Sequence, residues 1–144
     1  MSGRPVLLDT NAYSRLMQGD EGVIRIADEA SRVYLCSVVL GELMSGFRHG
    51  TRYERNCADL IEFRDDPKVV CVFSTEQTAE NYGELMAGLS KAGTKIPTND
   101  MWIGAFAKEH GVAVLSFDGH MKYMTSLGVD LIVPDAAVSG CLSK

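Results

Sequence analysis

The chain has 144 residues and a formal net charge of −5, with 46% hydrophobic and 23% charged residues. Those proportions suit one globular domain and exclude a disordered chain. Every apolar run is broken well short of the ~20 residues of a transmembrane helix, and the acidic balance excludes a protein that holds nucleic acid by bulk charge alone.

The run R-P-V-L-L-D from Arg4 to Asp9 is short, apolar and ends on a carboxylate, which predicts a buried strand. Thr10 or Asn11 is placed to cap a helix from about Ala12 to Gln18, and Asp20 starts another that runs to about Ala30. Val33 to Ser37 reads as a second strand and Val38 to Phe47 as a helix. A further helix from Thr51 to Arg64 places Tyr53, Cys57, Leu60 and Ile61 on one face. Lys68 to Phe73 contains V-V-C-V-F, a third buried strand. Ser74 and Gln77 have the spacing of a capping box, ahead of a helix with Ala79, Tyr82, Leu85, Met86 and Leu89 on its apolar face. A loop from Lys91 to Pro97 leads to a helix capped by Thr98 or Asn99 and ended by Gly111. Val112 to Phe117 is a fourth strand, a short helix follows Gly119, and Asp130 to Val133 is a weak fifth strand.

Apolar strands alternating with helices predict βαβ units, so the expected fold is one α/β domain over residues 1–144, with a mostly parallel sheet of four or five strands flanked by helices. Such sheets place their sites at the carboxyl ends of the strands. Cys36, Cys57, Cys71 and Cys141 form no C-x-x-C pair and read as buried reduced thiols. His49, His110 and His120 are not spaced with them, so a Cys/His zinc site is not expected. No secretory leader is visible, and the expected location is the cytoplasm.

Four carboxylates stand out. Asp9 ends the first strand and taken alone is a turn or N-cap residue. Glu42 shares a helical face with Val38 and Val39, so an acid points at the sheet, where burial is costly without a salt bridge to arginine or a cation. Asp100 suits a helix first turn through the dipole, yet Ile103, Gly104 and Ala107 share its face. Asp118 follows the fourth strand and taken alone is a turn aspartate before glycine. Strand ends of a parallel sheet share one rim, so Asp9 and Asp118 converge, and the helices of Glu42 and Asp100 are placed to cover that rim. Four acids meeting without a cation repel one another, and hard oxygen ligands suit Mg²⁺ or Mn²⁺. With those four set aside, 14 basic residues face 15 acidic ones, a nearly neutral remainder that does not exclude a nuclease.

The motifs V-L-L-D-T-N at Val6 to Asn11, S-V-V-L-G-E-L at Ser37 to Leu43, I-P-T-N-D-M-W-I-G-A at Ile96 to Ala105 and V-L-S-F-D at Val114 to Asp118 are specific in combination. In their order and spacing the chain resembles the PIN-domain ribonucleases, close to the VapC toxins of toxin–antitoxin pairs. The resemblance implies that Asp9, Glu42, Asp100 and Asp118 are the metal-binding, catalytic acids, with Asn11 and Ser116 supporting them. It departs at Gly104, where alanine is more usual, and at Gly119-His120-Met121, where many relatives carry a further acidic or polar residue. It implies an endoribonuclease using Mg²⁺ or Mn²⁺, with one or two ions, an RNA substrate, a homodimer, and an antitoxin whose C-terminal segment covers the cleft.

Arg15, Arg48, Arg52 and Lys95, with Arg55 and Lys91, are candidates for binding the RNA backbone, or ordinary solvated charges. The spacing of Arg48, Arg52 and Arg55 suggests a helical stripe. His120 is a candidate phosphate contact or a surface histidine, and Trp102 with Phe106 reads as an exposed aromatic pair at an interface or as core. A housekeeping PIN nuclease of RNA processing and a catalytically inactive PIN fold that only binds are the alternative functions. A haloacid-dehalogenase-type phosphatase is disfavoured because no second aspartate stands two residues after Asp9, and no P-loop, G-x-S-x-G or H-E-x-x-H motif appears.

Overall fold

A computed structural model describes residues 3–134. Strand β1 (Val6–Leu8) leads to helices α1 (Thr10–Met17) and α2 (Glu21–Glu29), and β2 (Val33–Cys36) to α3 (Ser37–His49) and α4 (Tyr53–Asp65). Strand β3 (Val69–Val72) leads to α5 (Glu76–Lys91) and α6 (Thr98–His110). Strand β4 (Ala113–Leu115), a 3₁₀ segment (Gly119–Leu127) and β5 (Leu131–Ile132) complete the order.

All the strands are parallel and form one sheet in the order β3-β2-β1-β4-β5, as the alternation of strands and helices predicts. The chain builds outward from β1 to β3, then returns to place β4 on the other side of β1. In register, Leu8 of β1 stands beside Leu115 of β4. Every residue of β1 and β4 is buried, because helices cover both faces. Strand β3 is an edge, and its Val69, Val70 and Cys71 are only half-buried, so the expectation of a fully buried third strand is corrected.

Local details differ from the sequence reading for identifiable reasons. Neither Thr10 nor Asn11 caps α1; Asp9 does, because the strand stops one residue earlier and Asp9 takes an extended backbone. The capping box of α5 is Thr75 with Thr78 rather than Ser74 with Gln77. Both threonine hydroxyls also donate to Glu109 at the end of α6, that of Thr75 at 2.6 Å, which joins the start of α5 to the end of α6. The inward face of α5 therefore carries Thr78 and Asn81 beside Leu85 and Leu89, while Ala79 and Met86 are exposed. Asn81 is satisfied there by donating to the carbonyl of Ala105 at 3.3 Å. Helix α6 starts directly after Pro97 with no side-chain cap, so Thr98 and Asn99 do not serve as caps.

On α4 the buried residue is Leu60, whereas Ile61 is 60% exposed. Trp102 stacks on Tyr82 with ring centroids 4.1 Å apart and Phe106 is fully buried, so the two do not form an exposed pair. Among the described residues the cysteines are free thiols; Cys36 is buried, but Cys57 and Cys71 are only half-buried, and Cys141 lies outside the described residues. Gly104 lets α6 approach the 3₁₀ segment closely: a β-carbon there would stand 2.8 Å from Sδ of Met124. Gly111 closes α6 in the left-handed conformation with φ 64°, as its position after the last periodic residue predicts.

This packing distinguishes two large apolar residues. Phe106→Ala is expected to lower the free energy of unfolding by about 3–5 kcal/mol through loss of a filled core site, and Ile61→Ala to change it by less than ~0.5 kcal/mol. Urea denaturation of both variants checks the pair.

Candidate metal centre

The strand order reverses between β1 and β4, and a crevice opens outside the carboxyl ends of those two strands. Asp9 directly follows β1. Its amide donates to the carbonyl of Leu115 at 3.3 Å, and its Oδ1 accepts from the amide of Ala12 at 2.8 Å. The strand β4 continues into Ser116, which is fully buried and whose Oγ accepts from the amide of Asp118 at 2.9 Å. Asp118 in turn caps the 3₁₀ segment, its Oδ1 accepting from the amide of His120 at 2.8 Å. Both strand-end aspartates are thus held by backbone donors at the start of the following helical turn.

The other two acids come from helices. Glu42 projects from α3, and its two oxygens accept from the hydroxyl of Thr10 and from Nδ2 of Asn99, the latter at 2.8 Å. Asp100 stands in the first turn of α6. Asp9, Thr10, Asn11, Glu42, Asp100, Ile103 and Asp118 line one recess of about 290 Å³.

Among the described residues no lysine or arginine pairs with any of the four carboxylates. The salt bridge that would have explained Glu42 is not formed; two neutral donors hold it instead. Burial pushes the Asp100 carboxyl up to about 6, and repulsion from Asp118 and Glu42 adds to that against the opposing pull of His120. Burial likewise raises Asp9; the Ser116 hydroxyl and the Ala12 amide pull it down, and the charges of Asp118 and Glu42 push it up. Oδ2 of Asp100 is buried and has no hydrogen-bond partner among the described residues. A buried, unpartnered carboxylate oxygen beside three further acids fits a hard divalent cation, which would remove both the repulsion and the unmet acceptor.

The basic candidates are placed elsewhere. Arg15 pairs with Asp20 at 3.3 Å and lies over the ring of Phe117 at 3.9 Å, next to Asp118 in the chain. Arg48, in the last turn of α3, lies over the ring of Tyr53, while Arg52 and Arg55 share a separate cleft with Tyr13 and Asp59. Gly50 separates α3 from α4, so Arg48, Arg52 and Arg55 do not form one helical stripe. Lys95 is exposed in the loop before α6. None of these residues lines the recess. The sequence reading missed Thr10 and Asn99 as holders of Glu42, although each adjoins an acid of the set, in D-T-N and T-N-D.

The model of the PIN domain matches residues 6–126. The chain belongs to the PIN-domain family. Within that family it is 29% identical over 92 residues to ribonuclease VapC4 of Mycobacterium tuberculosis, covering 64% of this chain and 71% of that protein. It is 28% identical over 112 residues to ribonuclease VapC2 of Haemophilus influenzae, covering 76% of this chain and 83% of that one. The PIN fold here is similar to that in VapBC2 of Rickettsia felis, solved bound to a promoter DNA fragment, with a TM-score of 0.79, 20% identity, and coverage of 91% and 99% of the two chains. It is also similar to VapC20 of Mycobacterium tuberculosis, a sarcin–ricin loop cleaving toxin, with a TM-score of 0.64, 18% identity, and coverage of 82% and 93%.

The raised Asp100 carboxyl gives this PIN domain a pH signature. A carboxyl with a folded pKa near 6 against an ordinary value of 3.8 stabilises the cation-free fold at low pH, and that contribution is lost as pH rises through about 6. In chelator, Asp100→Asn is therefore expected to gain thermal stability relative to the wild type between pH 4 and pH 7. Melting curves across that range check it; a constant difference would mean that Asp100 does not titrate there.

Proposed function

We propose that this PIN domain is a divalent-metal-dependent endoribonuclease and the toxin of a toxin–antitoxin pair. The observation that carries the reading is the recess lined by Asp9, Glu42, Asp100 and Asp118, in which, among the described residues, a buried carboxylate oxygen has no hydrogen-bond partner and no lysine or arginine balances the charge. The VapC ribonucleases among the relatives support the reaction class, and the VapBC complexes among the structural neighbours support a partner.

Asp9, Asp100 and Asp118 would hold Mg²⁺ or Mn²⁺, with Glu42 either direct or through water. Bound there, the cation would supply a water of lowered pKa and neutralise charge that develops on phosphoryl oxygens. The protein's own residues fix the frame for that chemistry. Thr10 and Asn99 orient Glu42, Ser116 orients Asp118, and the Ala12 amide orients Asp9. Ile103 gives the recess an apolar wall. Asn11 lies exposed at its rim and is placed to contact a ribose or phosphate. Arg15, fixed over Phe117, is the basic residue best placed to meet the RNA backbone. A rim cleft suits a single-stranded loop better than a duplex.

The antitoxin would cover the same recess. Four carboxylates attract a cationic side chain, so an arginine or lysine of the partner takes the place of the metal. A homodimer is the expected toxin unit, with light scattering of the purified chain as its measure.

Asp9→Asn is a clean test, because asparagine caps a helix as well as aspartate does and only the charge is lost. The variant is expected to fold, to bind Mn²⁺ more weakly, and to lose RNA cleavage by at least ~100-fold. Expression of the wild type alone should arrest growth, and expression of Asp9→Asn should not. If partner-free wild-type protein with Mg²⁺ or Mn²⁺ leaves structured and single-stranded RNAs intact, the fold serves binding alone.

A further inference from the structure

We infer that His120 is a direct nitrogen ligand of the cation at this site, through Nδ1, and that it tilts the site toward Mn²⁺ over Mg²⁺. The inference rests on the metal-dependent reading above and adds a ligand that the four-carboxylate set lacks.

Asp118 bends the chain into the 3₁₀ segment by accepting from the His120 amide, and this turn brings the imidazole back over the carboxylates. Nδ1 then stands 2.9 Å from Oδ1 of Asp118 and 3.6 Å from Oδ2 of Asp100. One ligand atom from each of Asp100, Asp118 and His120 can be chosen so that all lie within 4.8 Å of one another. An octahedral ion with bonds of ~2.1 Å sets neighbouring ligand atoms ~3.0 Å apart and opposite ones ~4.2 Å apart. The 2.9 Å contact of His120 matches neighbouring positions around one ion, and the 3.6 Å contact falls between the neighbouring and opposite spacings.

A histidine that only steers Asp118 would commit Nδ1–H to that one carboxylate. Here Nδ1 approaches two carboxylates at once, and the second contributes the buried oxygen that has no hydrogen-bond partner. One ring proton cannot serve both acids, whereas one cation in their midst serves both, with the ring proton on Nε2. His120 is about half exposed, so it reaches the site from the solvent rim and leaves the buried side to the carboxylates.

The chemical consequence is selectivity. Carboxylate and water oxygens suit both Mg²⁺ and Mn²⁺, but an imidazole nitrogen adds more to the affinity of a first-row transition ion than to that of Mg²⁺. Mn²⁺ therefore gains more from His120 than Mg²⁺ does.

Pulsed electron paramagnetic resonance on Mn²⁺-loaded wild-type protein tests the ligand directly. Nitrogen modulation is expected, changing its pattern when the histidines carry ¹⁵N, and disappearing in His120→Ala while persisting in His49→Ala. Titrations of Mn²⁺ and of Mg²⁺ without RNA are expected to show about a tenfold loss for Mn²⁺ in His120→Ala and a much smaller loss for Mg²⁺. Manganese bound with no nitrogen modulation in the wild type, or equal losses for the two ions, would overturn the inference and leave the four-carboxylate site standing. Failure of the wild type to bind either ion would overturn both readings. The wild-type spectrum needs no variant, so a misfolded His120→Ala cannot leave the question undecided.

Discussion

Mutual repulsion among carboxylates is the constraint around which this fold is arranged. Asp9, Glu42, Asp100 and Asp118 come from four separate elements, and each would move apart in a pliable frame. The sheet supplies the rigidity. Parallel strands β1 and β4 lie side by side with their carboxyl ends level, and their all-apolar residues are clamped from both faces. The reversal of strand order there leaves no crossing connection over the crevice, so the two strand-end aspartates face an opening that α3 and α6 can flank.

The same residues that create the repulsion also begin the next elements. Asp9 caps α1 and Asp118 caps the 3₁₀ segment, each through Oδ1. A carboxylate has more acceptor capacity than one amide can use, so a cap and a ligand are compatible in one side chain. Backbone donors also favour the charged form, which offsets part of the burial that raises Asp9. Among the described residues Glu42 has no backbone donor and relies on Thr10 and Asn99, the chain neighbours of two other acids. The site is in that sense built from short sequence words, D-T-N and T-N-D, that each deliver one acid and one side chain to hold another acid.

Those words explain what was legible in the sequence. Apolar runs ending on Asp9 and close to Asp118, and acids on the inward faces of α3 and α6, are local patterns, and they sufficed for the parallel sheet and for the four acids of the recess. Pairing between side chains distant in sequence is not a local pattern. Thr10 and Asn99 therefore read as helix caps, when Pro97 and Asp9 occupy the cap positions and free them for Glu42. The apolar pattern on α5 likewise passed over Thr78 and Asn81, which face inward because their partners Glu109 and Ala105 lie on the next helix. Ile61 and Cys71 read as core, because period and apolarity do not reveal which strand is an edge or how far α4 overhangs it. His120 gave only its spacing from Asp118; the turn that folds it back over Asp100 depends on the Asp118 cap.

The link between Glu109 and the threonines Thr75 and Thr78 lies at the opposite end of α6 from Asp100. Nine helical steps separate Asp100 from Glu109, a rod ~13 Å long at 1.5 Å per residue. A rod pinned at its far end transmits tilt as displacement, so a rotation of ~5° about Glu109 would sweep Asp100 through ~1 Å. Displacements of that size are enough to spoil a coordination sphere or the alignment of reacting atoms. The threonine clasp on the remote side of the molecule therefore acts as the mounting of the Asp100 arm, and the accuracy of the crevice is set partly by hydrogen bonds that never touch it.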